Sequence, residues 1–244
     1  MITLTDTLPP LPADTLPGLR LRGLYAAYGG GRDFLPFWRD DGGGAGARLG
    51  DTAVCLPADG RQEEWAAFLA MQPEVRRAVT PADMADAGEA AGFAVQLRPF
   101  LRLPADLTPE QPAETPSLRE LYPLLSAVFG ASALPPFDLW YTDMSHRLRH
   151  GCGRAVCVTE AGRPVCCAFV TAECDAAGLI SGVATLPKAR GRGYARRAVA
   201  ALTKALHDSG KAAYICPKNN AADALYRRFG AAEAGAAAFW ARGG

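Results

Sequence analysis

No apolar run in this chain approaches the ~20 residues that a bilayer-crossing helix needs. Met1 to Gly18 holds four prolines and neither Lys nor Arg, so both the charged start and the apolar middle of a secretory leader are missing. The expectation is a cytoplasmic protein with no membrane partner. Excess charge is missing too: 26 basic and 25 acidic residues leave a net charge of +1. No global field draws the chain to nucleic acid, and any basic site must be local. The seven cysteines include no C-x-x-C pair, and there are only three histidines. His146 and His150 near Cys152 come nearest to a zinc set, yet the paired spacing of such sites is lacking, so no metal is expected. The cysteines read as small apolar core residues in a reducing compartment.

What is present is ordinary globular material. Hydrophobic residues make up 49% of 244 residues, enough for one large or two compact units. Four prolines between Pro104 and Pro116 mark a linker, because proline fixes φ and removes a backbone donor. Two domains are therefore expected, 1–113 and 114–244. In the first, Leu19–Ala27, Ala53–Leu56 and Phe93–Leu103 read as strands, and Gln62–Met71 and Pro81–Ala91 as helices. No chemical constellation appears there. In the second, Ser117 is expected to cap a helix to Phe129, followed by a helix over Phe137–His150. Strands at Arg154–Thr159 and Pro164–Ala172 flank the hairpin signal Glu160-Ala-Gly-Arg163, with a third strand at Gly178–Leu186. A helix over Ala195–His207, a strand over Lys211–Cys216, a helix over Asn220–Phe229 and a last strand near Ala236–Ala241 complete the order ααβββαβαβ. The fold class is thus α/β in the layered α+β sense.

The informative segment runs from Leu186 to Ala195, where a strand ends, a Gly/Arg loop follows and a helix begins. Unpaired N–H groups and the partial positive charge of a helix start form an anion cradle, and glycines permit close approach. Lys188, Arg190, Arg192, Arg196 and Arg197 put five cations into ten residues of an otherwise balanced chain. The Gly-Lys-Ser/Thr of a P-loop is missing, and Arg196 stands where a dinucleotide fingerprint has its third glycine.

This loop resembles the acyl-CoA motif Arg/Gln-x-x-Gly-x-Gly/Ala of the GNAT superfamily of N-acetyltransferases, met by Arg190, Gly193 and Ala195. About 30 residues on, Asn219, Ala222, Leu225 and Tyr226 resemble that family's Asn-x-x-Ala-x-x-Leu-Tyr stretch, followed by Arg227, Arg228, Phe229 and Gly230. Ala231 departs from the aromatic often found after that glycine. The resemblance implies a mixed, mostly antiparallel central sheet flanked by helices, and leaves the first domain as a possible degenerate copy of the second.

It further implies acetyl transfer from acetyl-CoA, with CoA as product, to a primary amine of a small-molecule or peptide acceptor. The pyrophosphate would lie on Gly191, Arg192, Gly193, Tyr194 and Ala195, and the pantetheine arm along Val183, Ala184 and Thr185. Asn219 is expected either on the cofactor or as a helix cap. Tyr226 is the expected general acid, protonating the thiolate as it leaves, and Glu173 the candidate base. Phe137, Asp138, Trp140, Tyr141, Asp143 and His146 read either as an acceptor box or as a core-facing helix stripe. The alternative function is an acyl-CoA-binding or sensing protein of the same fold without catalysis. Neither the acceptor's identity nor the oligomeric state is legible.

Overall fold

The computed structural model describes residues 1–111, 113–115 and 117–243. Pro112 and Pro116 of the proline-rich stretch, and Gly244 at the end of the expected second domain, lie outside them. The first elements are β1 (Thr3–Thr5), α1 (Leu16–Tyr28), β2 (Phe37–Arg39), β3 (Ala45–Leu49), β4 (Thr52–Leu56), α2 (Gln62–Met71), β5 (Arg77–Pro81), α3 (Ala85–Ala90) and β6 (Phe93–Arg102). Then follow α4 (Leu118–Phe129), α5 (Phe137–Arg149), β7 (Arg154–Glu160), β8 (Arg163–Glu173), β9 (Ala177–Thr185), α6 (Tyr194–His207), β10 (Ala212–Ile215), α7 (Asn220–Arg228) and β11 (Ala232–Arg242). Two compact units result. One comprises Met1–Leu101, Cys216–Asp223 and Glu233–Gly244, and the other Arg102–Ile215 and Ala224–Ala232.

The first unit corrects one expectation. Leu19–Ala27 belongs to helix α1, not to a strand. The alternation Leu19-Arg20-Leu21-Arg22 imitates a period of two. However, Thr15 accepts a hydrogen bond from Gly18 N (3.3 Å) as a cap, and Pro17 is pre-set for the first turn. The helix is buried on several sides, which blurs its own period. Strand order in this unit is β1-β2-β3-β4-β5-β11-β6. The chain's last strand therefore fills a central place, antiparallel to β5, with Trp240 opposite Ala78 and Phe239 opposite Val79. Trp240 joins Trp38, Trp65, Leu69 and Phe93 in the core. Arg242 then clamps the end of α2, donating to Ala70 O (2.6 Å), Val75 O (2.7 Å) and Gln72 O (3.1 Å). Ala70 O is among the carbonyls that a helix C-terminus leaves to a cation, and Gln72 and Val75 belong to the turn that follows α2.

The elements after the proline-rich stretch follow the expected order, although the last of them, β11, belongs to the first unit. At the β7–β8 turn, Ala161 (φ 48°) and Gly162 (φ 74°) both take positive φ, the conformation a tight hairpin demands. Ser117 occupies the cap position of α4, but its side chain makes no capping bond, against expectation. β10 pairs parallel to β9, and β9–β8 and β8–β7 pair antiparallel. Helix α6 packs on β7, β8 and β9. Leu118, Leu121, Leu125 and Met144 from α4 and α5 pack on Cys157, Cys167, Phe169 and Ala184. No helix of the described residues is long and apolar enough to cross a membrane.

Candidate functional site

β9 is longer than its neighbour. β10 pairs with it only over Ala177–Ile180 and ends at Ile215. Residues 181–185 of β9 run on beyond that ladder, with their N–H and C=O groups on the β10 side left without β10 partners. On its other side β9 carries an extra residue: Cys167 faces Ala184, but Phe169 faces Ser181. This bulge centres on Gly182, whose φ is 59° and where an added Cβ would meet Phe169 Cδ2 at 2.9 Å. Bulges bend a strand and re-aim its groups. The expected pantetheine residues Val183, Ala184 and Thr185 lie on this unladdered stretch; Ala184 is buried and the other two are half-buried.

The loop after β9 is tied back to it. Arg190 Nε donates to Thr185 O (3.3 Å), so this motif arginine braces the loop. Gly191 and Gly193 take φ of 78° and 77°, and a Cβ at either would meet nothing within 4 Å, so the space above them is open. Gly193 is the cap residue of α6 in the left-handed conformation, a state costly for residues with a Cβ. The first bond of the helix runs from Arg197 N to Gly193 O (3.0 Å). The amides before it have no intrahelical partner, as at any helix start. The first turn of α6 has no acidic residue, although acids are favoured there. The corresponding turn of α2, which follows β4 in the first unit, carries Glu63 and Glu64 instead.

A carboxylate reaches the loop from elsewhere. Glu160, at the end of β7, accepts from Arg192 Nη1 (2.8 Å) and from the Tyr194 hydroxyl. The Tyr194 bond and the Arg192 charge hold its carboxyl below the usual range. Glu160 was not among the expected site residues. Nothing local marks it, since its partners lie over 30 residues away in sequence. Beside the helix start is a cavity of about 280 Å³, walled by Gly193, Tyr194, Arg196 and Arg197 on one side and Thr108–Gln111 on the other.

Tyr226 is 7% exposed near the end of α7, its ring 6.1 Å from that of Phe229. The Arg196 guanidinium lies 6.0 Å from the same Phe229 ring, which brings the end of α7 beside the start of α6. Asn219 takes the cap role: its Oδ1 accepts from Ala222 N (2.9 Å) at the start of α7. Glu173 is 1% exposed and tied to Arg154 Nη2 (2.7 Å) and Lys211 Nζ (2.7 Å). Arg154 also donates to Ser209 Oγ (3.0 Å) and to Ala205 O. Burial pushes the Glu173 carboxyl up, but the two cations outweigh it and hold the group below its ordinary range. A carboxylate so enclosed and so acidic is a poor proton acceptor; its place is that of a brace between β7, β8, α6 and β10.

The α5 residues behave as a packing stripe. Trp140 meets Phe169 edge-on at 5.9 Å, Phe137 lies 5.4 Å from Tyr141, and the chain's own Arg119 sits 4.8 Å over Tyr141. Asp143 accepts from Arg147 Nε (2.8 Å), and the His146 and His150 rings are 4.3 Å apart. Asp138 is exposed.

Comparison with known proteins agrees with this layout. The family described as FR47-like protein matches residues 168–241, from β8 into β11. No curated protein matches. Among solved structures, a GCN5-related N-acetyltransferase from Kribbella flavida superposes with a TM-score of 0.59 at 23% identity, covering 84% of this chain and 89% of that one. A GNAT-family acetyltransferase from Colwellia psychrerythraea gives 0.59 at 13% identity over 100% of both chains. A tandem GNAT protein of the clavulanic acid biosynthesis pathway gives 0.55 at 18% identity over 98% of both. The chain thus shares the fold of these GNAT-named structures, and its segment 168–241, which begins in the strand before the bulge and takes in the whole Gly/Arg loop, is similar to the FR47-like family.

Proposed function

We propose that the protein is an N-acetyltransferase that moves an acetyl group from acetyl-CoA to a primary amine. The observation that carries this reading is the continuous path from the unladdered edge of β9, residues 181–185, into the open Gly191–Ala195 loop at the start of α6. An edge whose N–H and C=O groups have no β10 partner suits the amide-bearing pantetheine arm, and unpaired amides at a helix start suit its pyrophosphate. Acetyl-CoA supplies an activated thioester. The chain's own work is to bind and orient it through the backbone of Val183, Ala184 and Thr185 and the loop amides, and to hold a proton at the Tyr226 hydroxyl for the departing thiolate. Glu173 has no part in the chemistry on this reading, and the acceptor's proton leaves to water. Asn219 serves as a cap.

We assign cofactor binding to the segment 114–244 and read 1–113 as a degenerate copy, because its α2 start carries Glu63 and Glu64 where an anion would bind. A binding protein without turnover is the second reading, favoured by the enclosure of Glu173 and the near burial of Tyr226.

Isothermal titration with acetyl-CoA, followed by turnover on a panel of amines, tests both. Binding with turnover, and a fall in kcat of about 10²–10⁴-fold in Tyr226→Phe at unchanged cofactor affinity, supports the enzyme. Binding without turnover on any amine supports the second reading. Absence of binding removes both.

A further inference from the structure

We infer that Ser181, held by Thr171, receives the attacking amine: its hydroxyl oxygen accepts an N–H of the acceptor and so turns the nitrogen lone pair onto the thioester carbon. The inference rests on the acyl-CoA reading above and deepens it. With the phosphates on the Gly191–Ala195 loop, the pantetheine arm runs back along Thr185, Ala184 and Val183, and its reacting end arrives at Gly182 and Ser181. Ser181 is the first residue of β9 beyond the β10 ladder, which ends at Ile180. It stands opposite Phe169, on the face of the sheet that α4 and α5 cover. Its side chain is half-buried and so is not sealed from a ligand.

Two irregularities bring the hydroxyls together. β9 has its extra residue at Gly182, and β8 has one at Thr171, since Val170 faces Ile180 but Ala172 faces Leu179. Bulges of this kind re-aim side chains. Ser181 Oγ and Thr171 Oγ1 are 2.7 Å apart, and neither hydroxyl has another hydrogen-bond partner among the described residues. The Thr171 carbonyl accepts from Arg147 Nη1 (2.9 Å), and the buried Arg147 is paired with Asp143 (2.8 Å), so α5 fixes the Thr171 end of the pair. Cys167, Phe169 and Ala184 on the same face are apolar, and a hydroxyl among them is costly unless bonded. Two hydroxyls carry two protons and four lone pairs, and the bond between them uses one of each. When Ser181 donates to Thr171, its own oxygen keeps both lone pairs for a donor. A neutral primary amine brings two N–H groups and selects that arrangement. The pair takes up no proton, and the one that the nitrogen sheds after attack leaves to water.

The test is steady-state turnover of the full chain on an amine found by the panel, with acetyl-CoA titration of each variant. Ser181→Ala is expected to lower kcat/KM for the amine about 10–100-fold, with acetyl-CoA affinity within about twofold of wild type. Thr171→Val removes only the second hydroxyl and should lower kcat/KM in the same direction, and Thr171→Ser should restore it. A purely packing role predicts the reverse, because Val keeps the branched side chain and Ser does not. Unchanged kcat/KM in Ser181→Ala or Thr171→Val, or a loss in Thr171→Val that Thr171→Ser does not restore, overturns the inference and leaves the acyl-CoA reading intact. Acetyl-CoA binding without turnover in the wild type overturns it as well, and absence of binding overturns the two together.

Discussion

The Glu160 carboxylate lies 2.8 Å from the Arg192 guanidinium, across 32 residues of sequence, and so places a negative charge on the loop that opens α6. An anion approaching the loop must meet that charge. Glu160→Gln is expected to tighten CoA binding about fivefold at low salt, because one negative charge facing the incoming anion is removed. The gain should shrink as salt is raised, since exposed charges are screened. Titrations at two ionic strengths check this; weaker binding in Glu160→Gln would show instead that the carboxylate holds Arg192 and Tyr194 in their working positions.

Gly193 carries the left-handed turn into α6. Gly193→Ala forces a Cβ into φ near 77°, which costs roughly 1–2 kcal/mol. The methyl also enters the open space over the loop amides, so CoA affinity should fall more than tenfold. Thermal melts alongside titration separate the two effects, because the loss of affinity is expected to exceed the loss of stability.

Glu173 distinguishes a brace from a base. Glu173→Gln leaves Arg154 and Lys211 facing a neutral amide, and breaking a buried pair typically costs ~3–5 kcal/mol, here towards the lower end because both cations are partly exposed. Turnover per folded molecule should be little changed. The sign with pH follows from the lowered carboxyl. Its contribution is complete above the ordinary value of 4.5 and fades as pH falls through the lower folded value. Urea unfolding of wild type and variant should therefore converge in acid. A variant of normal stability with abolished turnover would return Glu173 to the chemistry.

β11 completes the first unit. Trp240→Ala removes a side chain 2% exposed in that unit's core, and ~3–5 kcal/mol of stability should be lost. Removing residues 233–244 takes away Trp240 and the Arg242 clamp together. Protection of β5 amides in hydrogen exchange should drop to that of an edge strand, and unchanged protection would contradict the pairing.

Much of the chain after the proline-rich stretch was legible because its signals are contiguous. The ααβββαβαβ order follows from apolar period and turn residues, and the open Gly191–Ala195 turn is made by neighbours in sequence. Gly182 inside β9 was also a readable sign, since a glycine in a strand interior often marks a bulge. By contrast, Leu19-Arg20-Leu21-Arg22 misled, because a helix buried on several sides loses the stripe that betrays it.

Sequence alone thus determined the open Gly/Arg turn before α6 and the order of elements after the proline-rich stretch, which depend on local conformational preference and short-range spacing. Tertiary structure decided what distant residues do to one another. It set Glu160 on Arg192, enclosed Glu173 between Arg154 and Lys211, gave Asn219 to the start of α7 and carried β11 into the first unit. Those outcomes depend on which surfaces and backbone edges find partners when the chain collapses, and no local pattern encodes that choice.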